Sequence, residues 1–159
     1  NETRSLYSYT EDLSSSAEGS GSEFGSIFQR KMIRYGTTMI FKENIELKRI
    51  DDFCQQNNIN RIHFLKLDAE GNELNILQGA KHMIDSGAVD VIQFEFGGCN
   101  IDSKTFFQDF FYLLSPKYQI FRIVKDGLTP VNEYKERYEI FMSTNYLAVS
   151  RKEGTVNLF

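Results

Sequence analysis

The sequence lacks tryptophan altogether and contains only two prolines, two cysteines and two histidines. Cys54 and Cys99 lie far apart and without the spacing of metal ligands, which argues against a disulfide scaffold or a zinc site and favours a reducing compartment. No apolar run approaches the length of a membrane span, and no signal peptide is recognisable at the start. We therefore expect a cytoplasmic protein without a membrane partner.

Clustered positive charge is also scarce. The net charge of -4 at pH 7 gives little support to a nucleic-acid partner, because such proteins present concentrated Lys and Arg to phosphates. One small basic cluster is expected to be a solvated face rather than a binding patch, and it consists of Arg30, Lys31 and Arg34.

The composition is that of a globular protein, since 41% of the 159 residues are hydrophobic and 25% are charged. From this length we expect one domain over 1–159. The chain begins with Asn1 rather than Met, so we expect processing or a piece of a longer protein. Residues 14–26 are rich in Ser and Gly and are expected to form a flexible loop. Their glycines do not predict a nucleotide-binding turn, because no buried strand precedes them.

Strands and helices are predicted to alternate from residue 61 onward. The strands are expected at 61–67, 89–96, 118–124 and 145–150, and the helices at 52–58, 72–86 and 104–115. This order predicts βαβ units and therefore an α/β fold with a mostly parallel sheet. The strand at 61–67 hardly alternates, which is expected when helices cover both of its faces.

Weaker patterns surround these elements. Asp51 or Asp52 is expected to cap the first helix, and Asp102 or Ser103 to open the last one. Residues 132–141 fit either a helix or a loop. Further extended segments are expected at 5–9, 37–41 and 45–50, the last two paired with each other.

Acidic side chains cluster at the carboxyl ends of two expected strands. Lys66 lies near the end of one strand and Asp68 and Glu70 follow it, while Glu95 lies near the end of the next strand. Ligands of open α/β sheets bind at this edge, where carboxylates can bind hydroxyls or amines, deprotonate a nucleophile or hold a metal. Alternatively, Glu70 and Glu73 simply favour the positive N-terminus of the next helix. We favour a functional role for Asp68 and leave both readings open for Glu70.

Three other reactive side chains are expected to be structural. No histidine has a partner at ligand spacing, and no feature of the sequence lowers the pKa of a cysteine at a strand end. The residues concerned are His63, His82 and Cys99.

The segment 47–84, LKRIDDFCQQNNINRIHFLKLDAEGNELNILQGAKHMI, resembles the signature of the FkbM-type methyltransferases. That signature reads roughly L-D-x-F, then D-x-L-K-x-D-x-E-G-x-E, then L-x-G-A. Here the three pieces are Ile50–Phe53, Leu65–Glu73 and Leu77–Ala80. The segments RSLYSY, VIQFEF and NYLAVSRKE are similar to other strands of the family, so the resemblance covers nearly the whole chain.

The resemblance implies a Rossmann-like fold and S-adenosylmethionine as cofactor, with the strand before Asp68 as the fourth of the sheet. It implies that Asp68 and Glu70 are catalytic, one positioning the donor or acceptor and one accepting the acceptor's proton. Lys66 would orient these acids, and Asp68 would also contact the cofactor. Glu95 and Glu73 would bind the substrate, and no metal is implied.

One part of the family pattern is missing. The family's first strand and glycine-rich cofactor turn do not occur in this sequence, nor does the acidic residue that would hold the ribose. The chain thus resembles the C-terminal portion of the family, apparently without the N-terminal cofactor-loop strands. We expect weak cofactor binding by this chain alone.

Three functions follow from these observations. The first is S-adenosylmethionine-dependent O-methylation of a sugar or small-metabolite hydroxyl by a C-terminal fragment. The second is a non-catalytic α/β module for binding or oligomerisation, since an unpaired sheet edge favours self-association. The third is a carboxylate-metal hydrolase that uses Asp68, Glu70 and Glu95.

Overall fold

The described part of the chain forms two separate β-sheets, with helices packed on the larger one. The computed structural model describes residues 2–9, 25–30 and 39–152, so the expectations for 14–24, Lys31 and Arg34 lie outside the described residues. The strands are β1 (Glu2–Tyr9), β2 (Met39–Leu47), β3 (Ile62–Leu67), β4 (Val89–Phe96), β5 (Tyr118–Val124), β6 (Gly127–Val131) and β7 (Thr144–Ser150). The helices are α1 (Ile50–Gln56), α2 (Glu73–Gly79), α3 (Lys81–Asp85), α4 (Cys99–Ser103) and α5 (Phe107–Leu114), with a 3₁₀ turn at Glu136–Tyr138.

The larger sheet has the strand order β3-β4-β7-β5-β6. The prediction of a mostly parallel sheet was wrong. Only β3 and β4 pair in parallel; β7 runs antiparallel between β4 and β5, and β6 returns beside β5 through a tight turn at Gly127. The strands β3, β4 and β5 still point the same way, as the two crossovers require. Inserting β7 between them makes most neighbouring pairs antiparallel.

One face of this sheet carries the main core. Phe94 of β4 stacks on Phe110 of α5 with ring centroids 4.9 Å apart, and Tyr146 of β7 lies 5.5 Å from Phe94. Both phenylalanines are fully buried, as are Ile92 and Ala148 on neighbouring strands. The apolar stripe of α5 therefore faces the sheet, as its sequence pattern predicts.

The opposite face is less covered in the part of the chain that the structure describes. A small apolar cluster there contains Val91, Phe121 and Val149, but Phe64 of β3 is 54% exposed and Lys66 is exposed too. The prediction that β3 is covered on both faces was wrong for these residues. Within the larger sheet β3 pairs with β4 only, so it is an edge strand there, and self-association through it stays a prediction.

The smaller sheet is an antiparallel ribbon of β1 and β2. The two paired segments expected at 37–41 and 45–50 are wrong, because β2 continues straight through Lys42–Asn44 and pairs with β1 instead. A short bridge joins Tyr7 to Ser26, and Ser26 leads the chain toward the end of β3.

The helix expected at 72–86 is two helices, which meet at Ala80. Asp51 or Asp52 was expected to cap α1, but both lie within α1. The Asp51 carboxylate instead accepts the N–H groups of His82 and Met83 at 3.0 Å. It therefore satisfies the free donors at the start of α3. This contact joins the Ile50–Phe53 motif to the helix that follows the Leu77–Ala80 motif.

The helix expected from Asp102 or Ser103 starts later, at Phe107. Asp102 lies in α4, and the first N–H groups of α5 donate instead to Glu139, at 2.8 and 2.9 Å. A carboxylate far along the chain thus caps α5. Across the described ranges, no helix has both the length and the apolar character needed to cross a membrane.

Candidate active site at the carboxyl ends of β3 and β4

A sharp turn after β3 brings the acidic residues to the start of α4. Glu70 and Gly71 both have positive φ, 49° and 104°, a region that favours glycine. A Cβ on Gly71 would lie 3.0 Å from the carbonyl oxygen of Cys99, so the turn packs directly against α4. Gly71 therefore permits a close approach of backbone to backbone and presents the Glu70 side chain at the sheet edge.

The buried Glu73 side chain stabilises this turn by accepting hydrogen bonds from its backbone. Its carboxylate accepts the N–H of Ala69 at 2.7 Å and that of Gly71 at 3.0 Å, and the residue is 1% exposed. Burial raises the pKa of Glu73 above the ordinary value, although the backbone donors oppose this shift. Both oxygens are engaged by the turn itself, and substrate binding by Glu73 remains only a prediction.

Glu70 is held by two donors. Its Oε2 accepts a hydrogen bond from Arg30 Nη1 at 2.7 Å and one from the Cys99 thiol at 3.0 Å. The Arg30 and Glu70 side chains are 12% and 18% exposed, so this ion pair is largely shielded from solvent. The backbone carbonyl of Glu70 also accepts the Ser26 hydroxyl at 2.8 Å.

Glu95 completes an acidic group beside Glu70. The reactive atoms of Glu70, Glu95 and Cys99 all lie within 4.8 Å of one another. Glu70 Oε1 and both Glu95 oxygens accept no hydrogen bond from the described residues. Carboxylate oxygens without partners at this edge of an α/β sheet are available to a ligand.

Asp68 and Lys66 lie on the solvent side of this group. Lys66 Nζ donates to Asp68 Oδ2 at 2.9 Å, and both side chains are more than half exposed. Lys66 thus pairs with Asp68 and, within the described ranges, with neither Glu70 nor Glu95. Asp68 Oδ1 has no hydrogen-bond partner there, so this oxygen is open to an incoming hydroxyl.

The geometry limits two chemical uses of the site. Burial, and then the hydrogen bond to Glu70, raise the pKa of the Cys99 thiol, so it is a hydrogen-bond donor and not a thiolate nucleophile. Glu70, Glu95 and Cys99 are the residues that could hold a metal. However, the Arg30 cation already occupies Glu70, and Asp68 lies outside this group, which weakens the hydrolase hypothesis.

Arg30 and Asp102 are site residues that the sequence did not reveal. Arg30 was expected on a solvated basic face, which is wrong, because it pairs with Glu70 and also approaches Asp102, with Arg30 Nε 3.5 Å from Asp102 Oδ2. Forty residues separate Arg30 from Glu70, so no local spacing could have indicated the pair.

A second ionic cluster lies at the opposite ends of the same strands. Arg61 Nε lies 3.0 Å from both oxygens of buried Asp90, and His63 Nδ1 lies 2.7 Å from Asp90 Oδ2. The hydrogen bond to Arg61 holds the pKa of Asp90 below its ordinary value. This cluster anchors the start of β4 and does not contribute to the acidic group at Glu70.

Comparison with known proteins identifies the family. The sequence model of the FkbM methyltransferase domain matches residues 4–120. This chain belongs to the FkbM methyltransferase family. It matches none of the curated proteins and none of the solved structures with which it was compared.

The residues of the site lie within the span that matches the FkbM family. Arg30, Asp68, Glu70, Glu95 and Cys99 all fall between residues 4 and 120. The five-stranded mixed sheet with helices is consistent with a methyltransferase-like α/β fold. Family membership therefore supports a methyltransferase.

Proposed function

We propose that this FkbM-family chain takes part in S-adenosylmethionine-dependent O-methylation, with a hydroxyl of a sugar or small metabolite as acceptor. One observation carries the proposal. The carboxylates of Glu70 and Glu95 converge at the carboxyl edge of β3 and β4, inside the span that matches the family. Ligands bind at this edge in open α/β sheets, and the nature of the acceptor rests on family analogy.

The negative charge of the two carboxylates matches the positive charge of the cofactor. Two carboxylates held together in a partly buried position would stabilise the positive sulfur of S-adenosylmethionine, and Arg30 neutralises only one of them. Neither Gly71 nor Gly97 offers a backbone cradle for the adenosine, because Cys99 packs against Gly71 and Ser143 packs against Gly97. Glu70 and Glu95 would thus hold the reactive end of the cofactor.

The chain's own residues suggest how the acceptor would be handled. The methyl carbon of S-adenosylmethionine is already activated by its positive sulfur, so catalysis is mainly alignment and proton removal. Arg30 and Cys99 fix the Glu70 carboxylate in one orientation, which suits a positioning role. Asp68 is exposed and has one free oxygen, which suits it to accept the proton of the acceptor hydroxyl.

The test compares two ligands that differ by one charge. S-adenosylmethionine and S-adenosylhomocysteine are titrated calorimetrically into the wild-type chain and into Glu95→Gln, which keeps the shape of the side chain. Because only the first ligand carries a positive sulfur, we expect Glu95→Gln to weaken it by about tenfold and the second by less than about twofold. Glu46→Gln, an exposed site on β2, is the matched control and should change neither affinity.

Two results would overturn the proposal. If Glu95→Gln weakens both ligands equally, Glu95 does not face the positive sulfur, and the assigned orientation is wrong. If the wild-type chain binds neither ligand at millimolar concentration, the chain does not form a donor site, and the non-catalytic α/β module becomes the better description.

A further inference from the structure

A cavity of about 340 Å³ opens beside the outer strands of the larger sheet. Its walls come from β5, β6, the first residues of β7, and the 3₁₀ turn with the chain that follows it. All of its lining residues lie between 122 and 146, beyond the segment 4–120 that matches the family. The cavity is therefore built by a part of the chain to which the family match assigns nothing.

The charge of this cavity is opposite to that of the whole chain. Arg122 and Arg137 both line it, and no Asp or Glu does, whereas the chain has a net charge of -4. Neither arginine forms an ion pair with a carboxylate of the described residues. Arg137 acts electrostatically on Glu133, but Glu133 pairs with Lys135, so both guanidinium groups can donate hydrogen bonds to an anion in the cavity.

The other residues that line the cavity can contact an organic group attached to that anion. Val124, Val131 and Ile140 are aliphatic, and the Tyr138 ring lies under the Arg137 guanidinium at 5.6 Å. The Thr129 and Thr144 hydroxyls also line the cavity and can donate or accept hydrogen bonds. Apolar and aromatic walls with a few convergent polar groups are typical of small-molecule sites.

The cavity and Glu95 lie at neighbouring strand ends but on opposite faces of the larger sheet. Thr144, which lines the cavity, pairs with Phe96, whereas Glu95 precedes Phe96 and therefore points to the other face. Between the two places, Ser143 packs closely against Gly97. The cavity is therefore separate from the candidate active site.

We propose that this cavity binds the anionic group of an organic acid, a carboxylate or a phosphate monoester. Arg122 and Arg137 bind the anion, and the aliphatic and tyrosine walls contact the organic part of the molecule. This binding does not depend on the proposed methyl transfer.

Calorimetric titration of four small probes into the chain tests the binding. The probes are 4-hydroxybenzoate, its neutral analogue 4-hydroxybenzamide, phenyl phosphate and inorganic phosphate. We expect 4-hydroxybenzoate or phenyl phosphate to bind at least about tenfold more tightly than 4-hydroxybenzamide, because only the anions pair with the arginines. We expect phenyl phosphate to bind more tightly than inorganic phosphate, which has no organic body. The better of the two organic anions distinguishes carboxylate from phosphate.

Charge-matched variants locate the site. Arg122→Gln and Arg137→Gln should each weaken the better organic anion by about tenfold or more. Both arginines are exposed, so an unchanged thermal midpoint will show that the variants fold. Arg151→Gln is the matched control: Arg151 lines another cavity, together with Lys117, Lys152 and the acidic Asp85, and its loss should change affinity by less than twofold.

Three results would overturn the inference. The first is equal affinity for 4-hydroxybenzoate and 4-hydroxybenzamide, together with no higher affinity for phenyl phosphate. The second is a loss of affinity in Arg151→Gln as large as in the two arginine variants of the cavity. The third is no binding of any probe at about 10 mM. These titrations contain no cofactor. Arginine-dependent probe binding without S-adenosylmethionine binding would therefore retain the anion site and reject the methyl transfer, and the reverse result would do the opposite.

Discussion

Replacing Gly97 with alanine should destabilise the protein by a purely steric effect. A Cβ at Gly97 would lie 2.7 Å from the Cα and 2.9 Å from the backbone nitrogen of Ser143, and neither atom can rotate away. The φ of Gly97 is not in the left-handed region, so alanine suits the local backbone and the clash is the only cost. Overpacking of this kind costs about 1–3 kcal/mol. The segment 140–143 would have to move away from the end of β4.

Gly79→Ala is the matched control, since the same methyl group there meets only ordinary contacts. The nearest atom, Arg49 Cα, is 3.7 Å away, and Gly79 ends a helix in which alanine is the better residue. Urea denaturation should show Gly97→Ala lowering the midpoint by about 0.5–1.5 M, for a slope of about 2 kcal/mol per M. Gly79→Ala should leave the midpoint unchanged or raise it slightly. Equal stability of the two variants would refute the proposed packing of Ser143 on Gly97.

Two further predictions concern buried carboxylates. Glu73→Gln should lower the free energy of unfolding by about 1–3 kcal/mol. The amide NH₂ replaces the oxygen that accepts the Gly71 N–H at 3.0 Å and leaves this donor only the longer contact of 3.3 Å with the remaining oxygen. A urea midpoint equal to wild type would contradict this. For Asp90, whose folded pKa lies below the ordinary value, the stabilisation is complete above the unfolded pKa of about 3.9 and is lost as the pH falls through the lower folded value. Thermal unfolding from pH 6 to pH 2 should therefore show a smaller loss of stability in Asp90→Asn than in wild type, and parallel curves would argue against the Arg61–Asp90 pairing.

The candidate site shows which of its residues can be predicted from the sequence and which cannot. Asp68, Glu70 and Glu95 were expected at one sheet edge because strand ends are readable from local pattern, and the structure places Glu70 beside Glu95. Arg30 was misassigned because its partner is 40 residues away. Nothing in local periodicity encodes such a distance, since hydrogen bonds between remote segments depend on how the segments pack.

The fold errors have the same origin. The strand positions of β4 and β5 were predicted correctly, but the direction of β7 relative to its neighbours was not. A strand's apolar pattern is identical whichever way it runs, so pairing direction has no local signal. The break between α2 and α3 was also missed, because it depends on a carboxylate supplied by α1.

Sequence patterns were sufficient to predict the strands β4 and β5, the acidic residues at the end of β3 and the resemblance to the FkbM family. These properties are carried by residues that are near neighbours in the chain, where turn chemistry and side-chain alternation act directly. Packing between remote segments, in contrast, pairs Arg30 with Glu70, buries Glu73 and brings two arginines to one cavity. Each of these depends on burial and on contacts between segments far apart in sequence, and burial is a property of the packed chain.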